Sequence, residues 1–154
     1  MNERDLRDCF GTFATGVMIA STSFEGKLYG MTINSFASVS LDPALLLFSI
    51  DNDSANLPAF KQAKHFSLST LSAAQLTLAQ EFAKPANDKK WQVGSYSLSE
   101  KQVPIFQNSL SYFECERHQI VEAGDHHILI GRIIDAKKMQ QDKPLMYLNG
   151  AFIF

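Results

Sequence analysis

The sequence predicts a single domain, built mainly from β-strands and folded as a closed or nearly closed antiparallel barrel. Two observations lead to this prediction. Apolar runs of strand length recur along the whole chain, and only a few short stretches show helical spacing. The 154 residues are 45% hydrophobic and 19% charged, which suits one globular domain with a full core. Many strands with few, short helices favour a barrel.

The first predicted elements are an amphipathic helix and a hairpin. The helix follows from four apolar residues at i, i+3, i+4 and i+7 spacing, which are Leu6, Cys9, Phe10 and Phe13. Asn2 is a candidate cap for this helix. Residues 17–23 and 27–34 then read as two strands, joined by a turn at Phe24-Glu25-Gly26.

Strands and short helices alternate in the middle of the chain. Residues 44–50 form an apolar strand, and residues 51–54 have side chains typical of a helix start. The short helix that follows shows an apolar face made of Leu57, Phe60 and Ala63. Residues 66–71 read as another strand.

A capping box gives the clearest local signal in the sequence. It consists of Ser72 and Gln75, with Leu71 and Leu76 at the positions of a hydrophobic staple. The box predicts a helix that runs to about Ala83.

The remaining chain is predicted as loops and three strands. Residues 84–90 form a polar loop, and residues 91–108 read as loop with a possible short strand. The three strands cover residues 109–121, 128–139 and 145–154. Their connecting turns are Ala123-Gly124-Asp125 and residues 140–144.

Charge and cysteine content exclude several classes of function. The formal net charge is −2, without a long block of like charge, which argues against a nucleic-acid-binding protein and against a polybasic membrane surface. Cys9 and Cys115 lack metal-ligand spacing and are expected to be buried free thiols in a reducing compartment. The start of the chain lacks the apolar segment of a signal peptide, and no apolar run has the length of a membrane span, so we expect a cytoplasmic protein.

A run of small polar side chains between two apolar strands is the main candidate site. Its polar members are Thr32, Asn34, Ser35, Ser38 and Ser40. Such a segment can keep one edge in the core and offer hydroxyl and amide groups to a ligand. The alternative interpretation is that these hydroxyls satisfy backbone groups at strand ends.

Two weaker features accompany this run. Asp53-Ser54 precedes a predicted helix, where a phosphate could bind, although an ordinary N-cap is the commoner case. Gly124-Asp125-His126-His127 places two histidines in a turn without zinc-ligand spacing. The chain has no Walker loop, GxGxxG or GxSxG motif. The residues alone therefore indicate a one-domain barrel with a pocket for an anionic ligand.

Five blocks of the sequence, in order, resemble those of the short-chain flavin reductases. The blocks are GTFATGV (11–17), YGMTINSFASVSLDPALLLFSI (29–50), FEC (113–115), GDHHILIGRI (124–133) and PLMYLNGAF (144–152). These proteins form a flavin reductase-like family with an FMN-binding split barrel. The resemblance implies a mainly β, six-stranded Greek-key split β-barrel with a few short flanking helices, as one domain over residues 1–154. It also implies a homodimer with the flavin near the subunit interface.

The resemblance also implies roles for individual residues. Thr32, Asn34 and Ser35 would contact the isoalloxazine and ribityl parts of a flavin, and Ser38, Val39 and Ser40 would line the path of the ribityl chain and phosphate. Further positions match the borders of the ring, the phosphate and the adenylate end, and these are Ser49, Ile50, Asp51, Ser54, Phe82, Lys89 and Lys90. Many relatives carry an arginine followed by phenylalanine where this chain has KPANDKKW, and lysine lacks the bidentate fork of arginine. His126 would meet the nicotinamide as the catalytic residue, with Tyr147 nearby.

The implied activity is an NAD(P)H:flavin oxidoreductase. It would reduce FMN or FAD with NADH or NADPH and supply the reduced flavin to a partner monooxygenase. Such chemistry belongs to the cofactors, so the lack of an acid–base dyad in the sequence agrees with it. The alternatives are an FMN-binding electron-transfer protein without nicotinamide activity, an enzyme of the pyridoxamine-phosphate-oxidase type, and a scaffolding protein.

Overall fold

Seven antiparallel strands form the main sheet in this computed structural model, which describes residues 1–85 and 87–154. The strands are β2 (Met18–Phe24), β3 (Lys27–Ile33), β4 (Ala37–Leu41), β5 (Ala44–Asp51), β6 (His65–Thr70), β9 (Ser111–Ala123) and β10 (His126–Lys138). Their order in the sheet is β3-β2-β6-β9-β10-β5-β4. The two edge strands, β3 and β4, are therefore consecutive along the chain.

The connection between the two edge strands requires the sheet to curl into a barrel. Residues 34–36 join β3 to β4 and can span at most about 14 Å. In a flat sheet of seven strands the edges would lie about 29 Å apart. The predicted barrel is thus confirmed, although its sheet has seven strands among the described residues rather than the six that the resemblance implies. Within this connection, Ser35 Oγ accepts the Ser49 N–H at 2.9 Å and donates to the Ser49 carbonyl at 3.3 Å, which extends the β4–β5 pairing through a side chain.

The other elements cover the ends and one side of the barrel. They are α1 (Glu3–Gly11), β1 (Thr15–Gly16), α2 (Leu57–Gln62), α3 (Leu76–Phe82), β7 (Tyr96–Leu98), β8 (Pro104–Phe106), β11 (Met146–Leu148) and β12 (Ala151–Ile153), with 3₁₀ turns at Ala73–Gln75 and Asp88–Gln92. Strands β1, β11 and β12 form a small second sheet, and β7 pairs with β8. None of the helices formed by residues 1–85 and 87–154 is long and apolar enough to cross a bilayer.

Strand β2 is covered on both faces, and this arrangement gives the molecule two cores. Met18 and Ala20 belong to the barrel core with Phe48 and Phe66, whose rings pack edge to face at 5.3 Å. Val17 and Ile19 belong to a second cluster that includes residues of α3. At Gly131, β10 packs closely against this core. A Cβ there would lie 2.4 Å from Phe66 Cζ, so a larger residue would clash.

Several predicted elements are confirmed. Asn2 caps α1 by accepting the Asp5 N–H at 2.8 Å. The first hairpin turns at Glu25-Gly26, where both residues have positive φ. The capping box also forms, with the Ser72 N–H donating to Gln75 Oε1 at 3.0 Å, although it begins a 3₁₀ turn that leads into α3.

Other predicted elements are wrong. Strand β4 forms within the candidate-site run of small polar residues, where no strand was predicted. A hairpin, β11–β12, replaces the single strand predicted at 145–154. Residues 91–108 contain two short strands, and α2 begins at Leu57 rather than directly after residue 54. The loop predicted at 84–90 includes Ala86, which lies outside the described residues.

The expectation of two buried thiols is half right. Cys115 is buried in the barrel core, and this burial raises the pKa of its thiol to about 12. Cys9 is exposed, because α1 buries none of its residues within one chain.

Candidate functional site

A groove forms where the end of β3, the end of β5 and the start of β10 meet. Its volume is about 260 Å³. The lining includes eight of the residues predicted to bind a ligand, which are Thr32, Asn34, Ser35, Ser49, Ile50, Asp51, Ser54 and His126. Met31 and Ile33 complete the lining as apolar neighbours. The sequence pattern missed both, because apolar residues in a strand give no signal that separates a ligand wall from a core.

The hydroxyl groups of Thr32 and Ser35 already have partners within the protein. Thr32 Oγ1 donates to the Ala79 carbonyl of α3 at 2.6 Å, and Ser35 is paired with the backbone of Ser49. A hydroxyl has one proton to donate, so toward a ligand these two groups act as acceptors. These hydroxyls can therefore satisfy backbone groups and still accept hydrogen bonds from a ligand.

Ser54 lies in a turn rather than at a helix cap. Its Oγ accepts the Asn56 N–H at 3.2 Å, and Asp51 Oδ1 accepts the Asp53 N–H at 2.8 Å. Asn56 is the cap residue of α2, whose first residue is Leu57. The expectation of a helix start at Ser54 is wrong, because local side-chain bonds make residues 51–54 a turn of their own.

His126 stands at one end of the groove, at the first position of β10. It pairs with Asp51 of β5, and its side chain is 42% exposed. Its Nδ1 lies 2.7 Å from Asp125 Oδ1, so we assign the Nδ1 proton to this bond, which leaves Nε2 for a ligand. The hydrogen bond from His126 holds the pKa of the Asp125 carboxyl below its usual range.

Asn34 and Tyr147 extend the groove toward the small sheet. Both line a second hollow of about 270 Å³, together with Thr32 and Phe152. Both also line a third hollow of about 530 Å³ that reaches Phe10 and Phe13 near α1. The structure therefore brings Tyr147 close to the predicted ligand residues, as the sequence resemblance implies.

The residues of β4 do not share this lining. Ser38 and Val39 are exposed and Ser40 is half-buried, with a register shift in the β4–β5 pairing between Ser38 and Ser40. None of the three lines the groove or its two extensions.

Phe82 and Lys90 do not line the groove, but Lys90 lines a separate hollow of about 430 Å³ together with Asn56 and Trp91. Phe82 is 1% exposed and packs edge to face on Trp91 and Phe106. Lys90 is 3% exposed, donates from Nζ to the Gly30 carbonyl at 2.6 Å, and lies 5.0 Å above the Phe82 ring. Burial lowers the pKa of Lys90, partly offset by the charge of Asp88. Both side chains thus contact β3 at Gly30, whereas Lys89 is exposed.

A larger hollow, of about 640 Å³, lies away from these residues. Strands β9 and β10 and the β7–β8 hairpin border it. There the Tyr112 hydroxyl donates to Asp135 Oδ2 at 2.6 Å, and this bond raises the pKa of Tyr112 to about 12. Its lining contains none of the predicted site residues.

The groove suits a flat, partly apolar ring with polar edges. Met31, Ile33 and Ile50 supply an apolar lining, while hydroxyl oxygens and the exposed Asn34 supply polar groups. This mixture is typical of a cofactor pocket. Its chemistry fits a flavin, and His126 adds a ring nitrogen beside it.

Comparison with known proteins gives the same result from independent evidence. A sequence model of the flavin reductase like domain matches residues 10–153. The FMN reductase (NADH) SmoA of Agrobacterium fabrum is 40% identical over 152 residues, which are 98% of this chain and 85% of that protein. The reductase component of the flavin-dependent trigonelline monooxygenase of Acinetobacter baylyi is 45% identical over 131 residues, which are 84% of this chain but 42% of that protein.

A solved structure is similar over almost the whole chain. The NADH:FAD oxidoreductase SgcE6 of Streptomyces globisporus, in complex with NAD and FAD fragments, has a TM-score of 0.94 at 30% identity. The similarity covers 99% of this chain and 92% of that one. Fold, groove and sequence together show that the chain belongs to the flavin reductase like domain family.

Proposed function

We propose that this chain is an NAD(P)H:flavin oxidoreductase, which reduces FMN or FAD and supplies the reduced flavin to a partner monooxygenase. The observation that carries the proposal is the groove, where eight residues assigned from the sequence to flavin or nicotinamide lie together. Relatives named as an NADH-dependent FMN reductase and as a monooxygenase reductase component support it.

Hydride transfer from a reduced nicotinamide to a flavin is chemistry that the bound cofactors supply. The protein provides binding, orientation and exclusion of water. Met31, Ile33 and Ile50 would cover the apolar surface of the ring, and Asn34 and Ser49 would hold its polar edges. Thr32 would keep its place through its bond to α3.

His126 would orient the nicotinamide. Its Nδ1 is held by Asp125, and in the neutral ring Nε2 accepts a hydrogen bond. A carboxamide N–H is a suitable donor to that nitrogen. The role is one of positioning the substrate by direct contact, and it requires no proton transfer.

We further propose that the protein is a homodimer. Phe10 and Phe13 are 68% and 77% exposed in one chain, and both line the hollow that reaches Asn34 and Tyr147. Large exposed aromatic side chains beside a binding groove are typical of a surface that a partner covers. A second copy over α1 would also close this end of the groove.

Spectrophotometry of nicotinamide oxidation tests the activity. The purified protein is mixed with NADH or NADPH, with and without added FMN, FAD or riboflavin, while absorbance in the nicotinamide band is followed. Oxidation that depends on flavin is the expected result. A protein that binds flavin but is inert to both nicotinamides would instead be an electron-transfer protein, and this outcome would contradict the proposal.

A further inference from the structure

Asn52 connects the end of β5 to the turn that carries His126. Its backbone N–H donates to the Asp125 carbonyl at 2.9 Å. Its side-chain Nδ2 donates to the Gly124 carbonyl at 3.2 Å, and its Oδ1 lies 2.7 Å from His127 Nδ1. Asn52 therefore bonds to residues on both sides of His126.

The ring of His127 fixes the orientation of the Asn52 amide. His127 is 9% exposed, and its Nε2 is buried without a hydrogen-bond partner among residues 1–85 and 87–154. Because Asn52 Nδ2 donates to the Gly124 carbonyl, its Oδ1 faces His127 Nδ1, so we assign a proton to Nδ1, which donates to Oδ1. The exposed carboxylate of Glu122 lies 3.9 Å from Nε2, beyond hydrogen-bond distance. With Oδ1 accepting and Nδ2 donating, both ends of the amide are paired.

Besides the Asn52 bonds, the turn is closed by the β9–β10 pairing of His126 with Ala123. The Asp125 carboxylate that bonds His126 is 93% exposed, and an ion pair of this kind contributes little by itself. Gly124 has a φ of +64°, a backbone conformation that glycine adopts without strain. The β5–β10 pairing ends at His126 and Asp51, immediately before Asn52.

We propose that Asn52 is a positioning residue for His126, acting through the Gly124-Asp125 turn and the buried ring of His127. The kinetic consequence of this role rests on the proposed function, in which His126 meets the nicotinamide. The structural consequence, a His126 ring held in one orientation, does not depend on the proposed function.

Steady-state kinetics of Asn52→Ala give the first test. We expect the kcat/KM for NADH to fall roughly tenfold, with the Kd for FMN changed by less than about twofold, because Asn52 itself does not line the groove. Asn52 is exposed, so its removal leaves the core intact. Asn2→Ala is the matched control, since it also removes an exposed side-chain amide that bonds to a backbone group, and wild-type kinetics are expected for it.

A double-mutant cycle distinguishes positioning from a general loss of structure. If Asn52 acts through His126, Asn52→Ala combined with His126→Ala should be no slower than His126→Ala alone. Two effects that multiply would show that Asn52 acts by another route, and the proposal would be overturned.

The ¹⁵N signals of the His126 ring give a readout that is independent of activity. In Asn52→Ala we expect them to shift or broaden in the flavin-free protein, whereas Asn2→Ala leaves them unchanged. Unmoved signals in Asn52→Ala would refute the positioning role. If His126→Ala itself has normal kinetics, the proposed role of His126 fails, while the ring signals still decide whether Asn52 holds the turn.

Discussion

His126 is the residue at which the groove meets the turn between β9 and β10. We predict that His126→Ala raises the KM for NADH or lowers kcat, by about 10- to 100-fold in kcat/KM, because the nicotinamide loses its orienting contact. Flavin should still bind, since the other lining residues are unchanged. His118→Ala, at an exposed histidine of β9, is the control. If His126→Ala had the same kinetics as His118→Ala, the assignment of His126 to the nicotinamide would be wrong.

Lys90 is a buried cation that supports β3. Replacing it with methionine keeps the apolar stem but leaves the Gly30 carbonyl without its donor. We expect the free energy of unfolding, measured in urea, to fall by about 1–3 kcal/mol. Lys89→Met, at the exposed neighbour, should change it by less than about 0.5 kcal/mol. Equal effects in the two variants would mean that the buried contact contributes nothing.

The titration of Lys90 predicts how stability depends on alkaline pH. Burial lowers the pKa of Lys90 from its ordinary value of 10.5. Between the lowered pKa and 10.5 the unfolded chain binds a proton that the folded chain has released. The free energy of unfolding of the wild type should therefore rise with pH, relative to Lys90→Met, across that window. Urea titrations at several alkaline pH values measure this difference, and a flat difference would contradict the prediction.

At the scale of elements, Ser35 links the edge connection of the barrel to β5. Ser35→Ala leaves the N–H and carbonyl of Ser49 without their side-chain partner. We expect the free energy of unfolding to fall by about 1–3 kcal/mol and the affinity for FMN to fall with it, because Ser49 also lines the groove. Chemical denaturation and flavin fluorescence titration measure the two quantities.

A control for Ser35→Ala is available on the adjacent strand. Ser38 is exposed on β4, so Ser38→Ala should change the free energy of unfolding by less than about 0.5 kcal/mol. If Ser35→Ala were equally mild, the side-chain pairing with Ser49 would have no structural importance.

The elements that the sequence predicts correctly are those with strong local signals. Three of them are formed by residues close together in the sequence, so local chemistry is enough to predict them. They are the Asn2 cap, the Glu25-Gly26 turn and the Ser72–Gln75 capping box. Strand β4 was missed because its exposed small polar residues have the composition of a turn, and only pairing with β5 makes them a strand. The β11–β12 hairpin did have a signal, since Asn149-Gly150 is a typical hairpin turn.

At the scale of the whole molecule, two exposed aromatic residues, Phe10 in α1 and Phe13 just after it, predict an oligomer. Phe13→Asp should convert the proposed homodimer into a monomer, because a charge would replace an apolar contact in the interface. Light scattering after size exclusion measures the mass. Leu98→Asp, at an exposed apolar residue of β7, is the matched control and should remain dimeric. A wild-type protein that is monomeric at working concentration would contradict the dimer.

The sequence by itself determined the strand-rich barrel and the stretch from which most of the groove is built, because alternating apolar and polar residues and local caps are read within one segment. Only the tertiary structure decided which residues face the groove. It brought Ser49, Ser54 and His126 together, placed Lys90 and Phe82 against Gly30 of β3, and revealed Asn52 as a contact of the His126 turn. The physical reason is that lining a groove depends on how strands distant in sequence meet when the sheet curls, and this closure is a property of the whole chain.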